Sequence, residues 1–526
     1  MSNSLIDALL DPGFYDHPVA SCELIETHIS WVILAGEYAY KIKKPVDFGF
    51  LDFSTLEKRQ FYCQEEVRLN RRLAANIYLD VVAIHGSPDQ PHLSADGPVI
   101  EYMVKMRRFE QDCQLDHMLE NDALTVTHMD AMANMAARFH EEIDRTTASS
   151  MYGSAEQVYA PVEENFVQIR ERIKDKHFLG QLATIEAWCK DSYAVLAPLF
   201  EQRKANGYVR ECHGDMHLRN LAWIDNSAVA FDCIEFNPEL RWIDVMSEIA
   251  FLVMDLQEKN QARLAQRFLN SYLQETGDYD DLKVLRFYLV YRALVRAKVD
   301  AIRLGQEHIS ESERTEVETD FARYLALALE YTQPPLPLLM ITHGMSASGK
   351  STVTQSLLEN MDAIRIRSDV ERKRLFSLKA GADKSTPVGS GIYTAEITQR
   401  TYDRLAELAG NILDAGYTMI VDATFQDPAQ RVQFKQLAMA KQVGFVILFI
   451  TAPDEVLRQR ILERNKGVSD ANLSVLEHQL AHRQPHTADE TGDIIEIDTS
   501  QPLDISSLVI KIKWVSMNLP QFNGHF

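Results

Sequence analysis

The sequence predicts two folds in series: an α+β part, in which a strand-rich lobe precedes a helical lobe, and an α/β part built on a parallel sheet. Three observations carry this. At 526 residues the chain exceeds what one hydrophobic core organises, so several domains are expected. The stretch YTQPPLPLLMITHG sets Pro334, Pro335 and Pro337 directly after a helical pattern they cannot continue, which predicts a stiff connector over 331–337. Before that connector apolar spacing passes from short strands to helices, and after it strands and helices alternate in the rhythm of βαβ units.

Taken in order, the first lobe, about 20–110, holds the strands HISWVILAG, EYAYKIKKP, LDVVAIH and GPVIEYMVKM around one helix, STLEKRQFYCQEEVRLNRRLA. The second lobe, 111–330, is mostly helical over 125–206. Its segment 211–236, ECHGDMHLRNLAWIDNSAVAFDCIEF, reads as loop and short strand, with NLAWID and AVAFD pairing as a hairpin. Helical spacing returns from 240 to 331, as in LKVLRFYLVYRALVRAKVDAIRL. In the last domain, 338–526, LPLLMITH, AIRIRSD, YTMIVDAT, GFVILFITA and DIIEIDTS are apolar enough for a parallel sheet covered on both faces.

Composition excludes several classes. The chain is 46% hydrophobic and 25% charged, without a run near the roughly 18 apolar residues of a membrane helix. Its opening, MSNSLIDALLDPGFYD, has neither the basic start nor the apolar core of an export signal, so a cytoplasmic protein with no membrane partner is expected. Six cysteines without a CxxC pair argue against a zinc site or a disulfide framework and for free thiols. The net charge of −22 lies almost wholly before residue 338 and repels nucleic acid, so no nucleic-acid partner is expected. A cationic substrate would be steered by the same field.

GMSASGKS fits GxxxxGKS through Gly344, Gly349, Lys350 and Ser351, after an apolar strand and at the start of the helix KSTVTQSLLENM. Backbone N–H groups of Ser346, Ala347, Ser348 and Thr352 complete the wrap that such a loop places on phosphates at a helix N-terminus. Lys350 then neutralises β- and γ-phosphates, and Ser351 holds Mg²⁺. Asp422, at the end of MIVDATF, suits the magnesium or water shell; Asp369, in IRIRSDVERKRL, suits a general base for a substrate hydroxyl. Arg460 and Arg464 lie four apart on one helix face and suit a clamp on the transferring phosphoryl group. Arg372 and Arg431 are weaker candidates for gripping substrate. These residues resemble the P-loop kinases of the zeta-toxin, polynucleotide-kinase and gluconate-kinase type, often grouped as AAA-like ATPases. The resemblance covers 338–500 and rests on the strand-end Asp followed by RKRL, on VDATF and its later Arg, and on SDA after the lid arginines. It implies phosphorylation of a hydroxyl on a small molecule or a nucleic-acid end.

The segment 211–236 spends polar residues where burial is costly without partners. Asp215 and Asn220 stand in the DxxxxN spacing of a phosphoryl-transfer loop, and Asp232 follows twelve residues later at the end of a strand. One carboxylate orients the attacking hydroxyl; the amide and second carboxylate hold metal ions between phosphates. A lysine for the α- and β-phosphates comes from Lys41 or Lys43, on one strand face, with Lys41 preferred. Its carboxylate partner comes from Glu65 or Glu66, and Glu66 lies beside the apolar stripe. His213 reads as a structural hydrogen-bonding residue, His217 as a loop or substrate residue, Glu235 as a possible second carboxylate for metal, and Asp244 as a helix cap.

Residues 20–330 resemble the aminoglycoside phosphotransferase and choline-kinase-like family through HGDMHLRN, FDCIEF and the helix AARFHEE. The resemblance implies a bilobal protein-kinase-like fold, ATP and Mg²⁺ as cofactors and a small hydroxyl compound as acceptor. One departure is plain: no GxGxxG loop precedes Lys41, only the lone Gly36. The expected protein is a fusion of this domain with a P-loop NTPase domain, each transferring the γ-phosphoryl group of ATP to a small-molecule hydroxyl. The alternatives are a catalytic P-loop domain regulated by a nucleotide-sensing kinase-like domain, or a nucleic-acid end kinase.

Overall fold

The computed structural model describes residues 3–49, 51–306, 309–376, 394–463, 473–484, 486 and 488–517. They form two compact units, Met1–Val167 with Ala197–Asp255, and Gln168–Leu196 with Leu256–Phe526. The proline connector is not where they part. The helices that precede it belong to the second unit, because side chains on them bond directly to the backbone of that unit's sheet.

In the first unit the order is α1 (Asn3–Leu9), β1 (Cys22–Glu26), β2 (Ser30–Ala35), β3 (Tyr38–Lys43), α2 (Leu56–Ala74), β4 (Tyr78–Ser87), β5 (Gln90–His92), β6 (Val99–Arg107), α3 (Leu115–Glu120) and α4 (Val126–Glu142). After α5 (Ala155–Arg172) and α6 (Lys176–Ala205), which contribute to both units, come β7 (Val209–Glu211), β8 (Leu221–Ile224), β9 (Ser227–Ala230), β10 (Trp242–Asp244) and α7 (Val245–Glu258). The main sheet is antiparallel in the order β1-β2-β3-β6-β4-β5. Alternation along β3 decides its two faces. Tyr40 and Ile42 pack with Leu5, Ile6 and Leu9 of α1, while Lys41 and Lys43 turn toward α2. Helix α2 starts where the Thr55 hydroxyl accepts from the Lys58 N–H, and it buries Cys63, Glu66, Val67, Asn70 and Ala74 at helical spacing. β8 and β9 form the expected hairpin.

The second unit continues with α8 (Ala262–Thr276), α9 (Lys283–Leu304) and α10 (Glu311–Tyr331), then β11 (Leu338–His343), α11 (Lys350–Leu358), β12 (Ala363–Arg367), α12 (Ser368–Arg374), α13 (Ala395–Asp414), β13 (Thr418–Asp422), α14 (Pro428–Lys441), β14 (Gly444–Thr451), α15 (Asp454–Leu462), α16 (Leu473–Ala481), β15 (Ile494–Asp498) and α17 (Ile505–Met517). Its five strands are all parallel, in the order β12-β13-β11-β14-β15. Every residue of β11 is buried, as a central strand of a sheet covered on both faces must be. α11 and α17 pack on one face through Val353, Leu357, Leu508 and Ile512, and α13 and α14 pack against β11 from among the remaining helices. Parallel register brings the C-terminal ends of β11, β12 and β13 to one edge, with Arg367 paired to Asp422. Ligands bind at that edge in open α/β sheets.

Candidate active sites

In the first unit one ammonium joins two elements. Lys41 Nζ lies 2.9 Å from Glu66 Oε1 on α2 and 2.5 Å from Asp232 Oδ1, just beyond β9. Asp232 adopts a left-handed backbone (φ 61°), which Asp tolerates better than most residues, and its N–H donates to the Tyr78 hydroxyl at 3.0 Å. Its side chain remains 48% exposed, so the carboxylate is open to a ligand. The next N–H, of Cys233, donates to Asn70 Oδ1 on α2 at 2.9 Å.

The loop that carries Asp215 is fixed from behind. Both Glu248 oxygens on α7 accept backbone N–H groups, from His213 at 2.6 Å and Gly214 at 2.8 Å, and Asp255 accepts from Leu218 N at 2.9 Å. Asn220 Nδ2 donates to Asp215 Oδ2 at 2.9 Å, which fixes the amide with its oxygen as the other end. His213 ties this loop to the Asp232 segment: its Nε2 lies 2.8 Å from Phe231 O, and its own carbonyl accepts from Ile234 N. Burial lowers the His213 pKa, and the ring serves as a hydrogen-bonding bridge between the two segments. His217 Nε2 lies 3.3 Å from Asp215 Oδ2.

Lys43 is the residue the sequence left ambiguous. Its ammonium, 1% exposed, bonds Glu66 Oε2 at 2.6 Å and also Glu235. Glu235 is therefore not a second metal carboxylate beside Asp232: it is buried and held by Lys43. Burial raises the Glu235 pKa, whereas two ammonium groups outweigh burial at Glu66 and bring it down to about 2. Gly36 is not a phosphate-covering glycine either. It sits in the two-residue turn between β2 and β3, while the β1–β2 turn, Thr27 to Ile29, contains no glycine and is strapped by Lys44 bonding Glu26 and Thr27 O.

In the second unit the phosphate loop connects β11 to α11, with Gly349 as the left-handed residue that opens the helix. Gly344 admits no side chain because a Cβ would strike the Ile450 carbonyl. Lys350 Nζ folds along the loop, 2.6 Å from Met345 O and 3.1 Å from Gly344 O. Ser351 Oγ donates to Asp422 Oδ2 at 2.9 Å, which brings the two candidate magnesium residues together. A cavity of about 800 Å³ is lined by Ser346, Ala347 and Gly349 through Thr352 of the loop and also by Asp369, Arg372, Asp422 and Arg460. Arg460 bonds Thr499 through Oγ1 and O, both at 2.8 Å. Arg464 lies outside the described residues. Arg431 does not reach substrate: it is 1% exposed, bonded to Glu490 at 2.6 Å and to Phe425 O at 2.8 Å, and braces the segment after β13.

The donor sets fit Mg²⁺. Hydroxyl and carboxylate oxygens (Ser351, Asp422) would hold it in the second unit, and amide and carboxylate oxygens (Asn220, Asp232) in the first, hard donors that magnesium prefers. Bound there, magnesium would supply positive charge against the phosphates.

Along 507 residues the chain is 32% identical to the uncharacterized protein Rv2004c of Mycobacterium tuberculosis, over 95% of this chain and 98% of the relative. The chain belongs to its family. Residues 339–486 match a family model described as an AAA domain. Among solved structures it is similar to a choline/ethanolamine kinase family protein from Mesorhizobium loti, at 11% identity and TM-score 0.39 over 62% of this chain and 99% of that one. It is also similar to a sugar kinase from a Janibacter species, at 20% identity and TM-score 0.26 over 36% of this chain and 97% of that one. This chain joins a part built on an antiparallel sheet to an α/β part on a parallel sheet, and the AAA-domain match lies in the second.

Three site residues escaped the sequence. Gln479 on α16 accepts from the phosphate-loop N–H of Ser346 at 2.8 Å, Thr499 Oγ1 donates to Ser348 O at 2.8 Å, and Arg367 reaches Ser351 Oγ at 3.3 Å. Only the last stood beside a recognised site residue, two before Asp369. The described residues include no helix long and apolar enough to cross a membrane, and all six cysteines are free.

Proposed function

We propose that this protein is a bifunctional ATP- and Mg²⁺-dependent phosphotransferase of the cytoplasm, with each part passing the γ-phosphoryl group to a hydroxyl of a small molecule. The observation that carries this reading is the 800 Å³ cavity in which a phosphate loop, the Ser351–Asp422 pair, Asp369 and Arg460 share one space. There the loop grips the phosphates, Asp369 takes the proton of the acceptor hydroxyl, and Arg460 meets charge on the transferring group. In the first unit Asp215 takes the base role, Lys41 holds phosphate oxygens, and Asn220 and Asp232 form the cation seat. Nucleic acid is not the intended acceptor, in keeping with the acidic first part.

One observation favours a second reading for the first unit. The tight, glycine-free β1–β2 turn offers no loop of backbone N–H groups over the phosphates, which suits a nucleotide sensor better than a fast kinase. Transfer from γ-labelled ATP into a pooled cytosolic metabolite extract separates the two. If Asp215→Ala and Lys350→Ala each erase a different labelled product, both parts are kinases. Loss confined to Lys350→Ala makes the first unit a sensor.

A further inference from the structure

Helix α12 carries both acceptor-side residues of the second unit, Asp369 and Arg372, yet it has only seven residues. Helices below about 12 residues do not persist on their own, so its neighbours set its position. Besides α13, which packs beside it, those neighbours lie on α8 and the turn after it, in sequence that precedes the proline connector.

At the N-terminal end the hold is made through β12, an edge strand that runs directly into α12. Asn270 on α8 treats that edge as a further strand would. Its Nδ2 donates to Ala363 O at 3.0 Å, and its Oδ1 accepts from Arg365 N at 2.8 Å. Two backbone groups that an edge would leave unpaired are thereby satisfied by one side chain. The Tyr279 hydroxyl donates to Arg365 O at 3.4 Å. At the C-terminal end Arg374 reaches back, donating to Gln274 O at 2.6 Å while also bonding Glu371 one turn earlier in α12. Its guanidinium lies over Gly277, the left-handed residue (φ 74°) that ends α8, where a Cβ would come within 2.6 Å of Arg374 Nε. The strand that leads into α12 and the C-terminal end of α12 are thus both fastened to α8.

We propose that α8 is a clamp for the acceptor side of the P-loop site, with Asn270 and Arg374 as positioning residues that act through α12 on Asp369 and Arg372. The grip on nucleotide by Gly344–Thr352 uses none of these bonds, so the clamp governs transfer and not nucleotide affinity. The inference deepens the proposed function and rests on Asp369 serving phosphoryl transfer. It makes the helices before the connector a working part of the P-loop enzyme, although they precede the residues that match the AAA-domain model.

The test uses the full chain with Asn270→Ala, Arg374→Met and the conservative Asn270→Asp, which keeps an acceptor for the Arg365 N–H. Three readouts are taken: amide hydrogen exchange, affinity for a fluorescent ATP analogue with MgCl₂, and Lys350-dependent labelling of the metabolite pool. Expected for Asn270→Ala and Arg374→Met are at least tenfold faster exchange over 363–374 and at least tenfold less product at saturating ATP. KM for ATP and analogue affinity should stay within twofold of the wild type, and Asn270→Asp should recover part of the lost transfer. Unchanged exchange over 363–374, undiminished transfer, or analogue affinity falling in step with transfer would each overturn the clamp. A wild type that makes no Lys350-dependent product refutes the phosphotransfer reading instead, and the exchange and affinity arms then still decide whether α8 holds α12 without gripping nucleotide.

Discussion

The Lys41 ammonium lies 2.5 Å from the Asp232 carboxylate, a residue 191 positions later in the chain. The same ammonium touches Glu66, so β3, α2 and the end of β9 converge on one charge. Lys43, two residues on, reaches the opposite Glu66 oxygen and is the more deeply buried of the two lysines. Neighbouring lysines on one strand face therefore have separate partners: Lys41 meets the half-exposed Asp232 and Lys43 the buried Glu235.

That division predicts opposite phenotypes. Lys41→Met should lower turnover by the first site roughly 100-fold, as loss of one preorganised cationic contact does. It should barely move the unfolding midpoint, because Lys43 still neutralises Glu66. Lys43→Met leaves Glu235 buried without its cation, while Lys41 still touches Glu66, and should destabilise the first unit by about 3–5 kcal/mol. Adding Glu235→Gln should restore much of that loss. Chemical unfolding followed in parallel with turnover checks both, and equal destabilisation by the two lysine variants would contradict the assignment.

Asp422 and Ser351 predict a metal effect separable from nucleotide binding. Asp422→Asn should bind the fluorescent ATP analogue in EDTA as the wild type does, yet lose about tenfold or more of the added affinity that MgCl₂ confers. Equal magnesium enhancement in variant and wild type would remove Asp422 from the cation seat.

His343 ends β11 beside the phosphate loop, stacks on Phe449 and lies 3.0 Å from Phe425 O through Nδ1. Burial, with help from the nearby Arg431 charge, lowers its pKa to about 4. An ordinary histidine titrates near about 6.5. Between those values the unfolded chain binds a proton that the folded chain does not, so stability is full above about pH 6.5 and falls as pH drops toward 4. The difference of some 2.5 pKa values corresponds to a loss on the order of 3 kcal/mol. Unfolding free energies measured from pH 7 to 4 should decline less steeply in His343→Phe than in the wild type. Parallel declines would show that the ring charges freely in the fold.

Two arginines that look alike in sequence should part company. Arg431→Ala abandons buried Glu490 and should cost about 3–5 kcal/mol, detected as a lower thermal midpoint. Arg460→Ala loses bonds to Thr499 at the rim of the cavity, so its midpoint should move less, and its turnover should fall about 100-fold. Comparing the melting curve of each variant with its labelled product decides the matter.

Much of this protein was legible in its sequence because the relevant physics is local. Proline cannot continue a helix, so the connector was visible. A glycine loop between an apolar strand and a helix is a short contiguous pattern, so Gly344, Lys350 and Ser351 could be named, and the DxxxxN spacing placed Asp215 and Asn220 five apart on a loop that the structure joins by a bond. Period two put Lys41 and Lys43 on one face, as found. Period alone could not say which lysine meets Asp232 and which meets Glu235, since that depends on where a segment some 190 residues away comes to rest. Arg431 read as a substrate residue because its burial against Glu490 is set by the packing of the segment before β15 against α14. The grouping of α8 with the P-loop sheet was hidden for the same reason: Asn270 is unremarkable on its helix, and only the approach of an edge strand with unpaired backbone groups gives its amide a purpose. Local chain chemistry determined the elements and the phosphate-handling motifs. The division of labour among the charged residues was decided by tertiary packing, because a buried charge takes its role from the partner the fold brings to it.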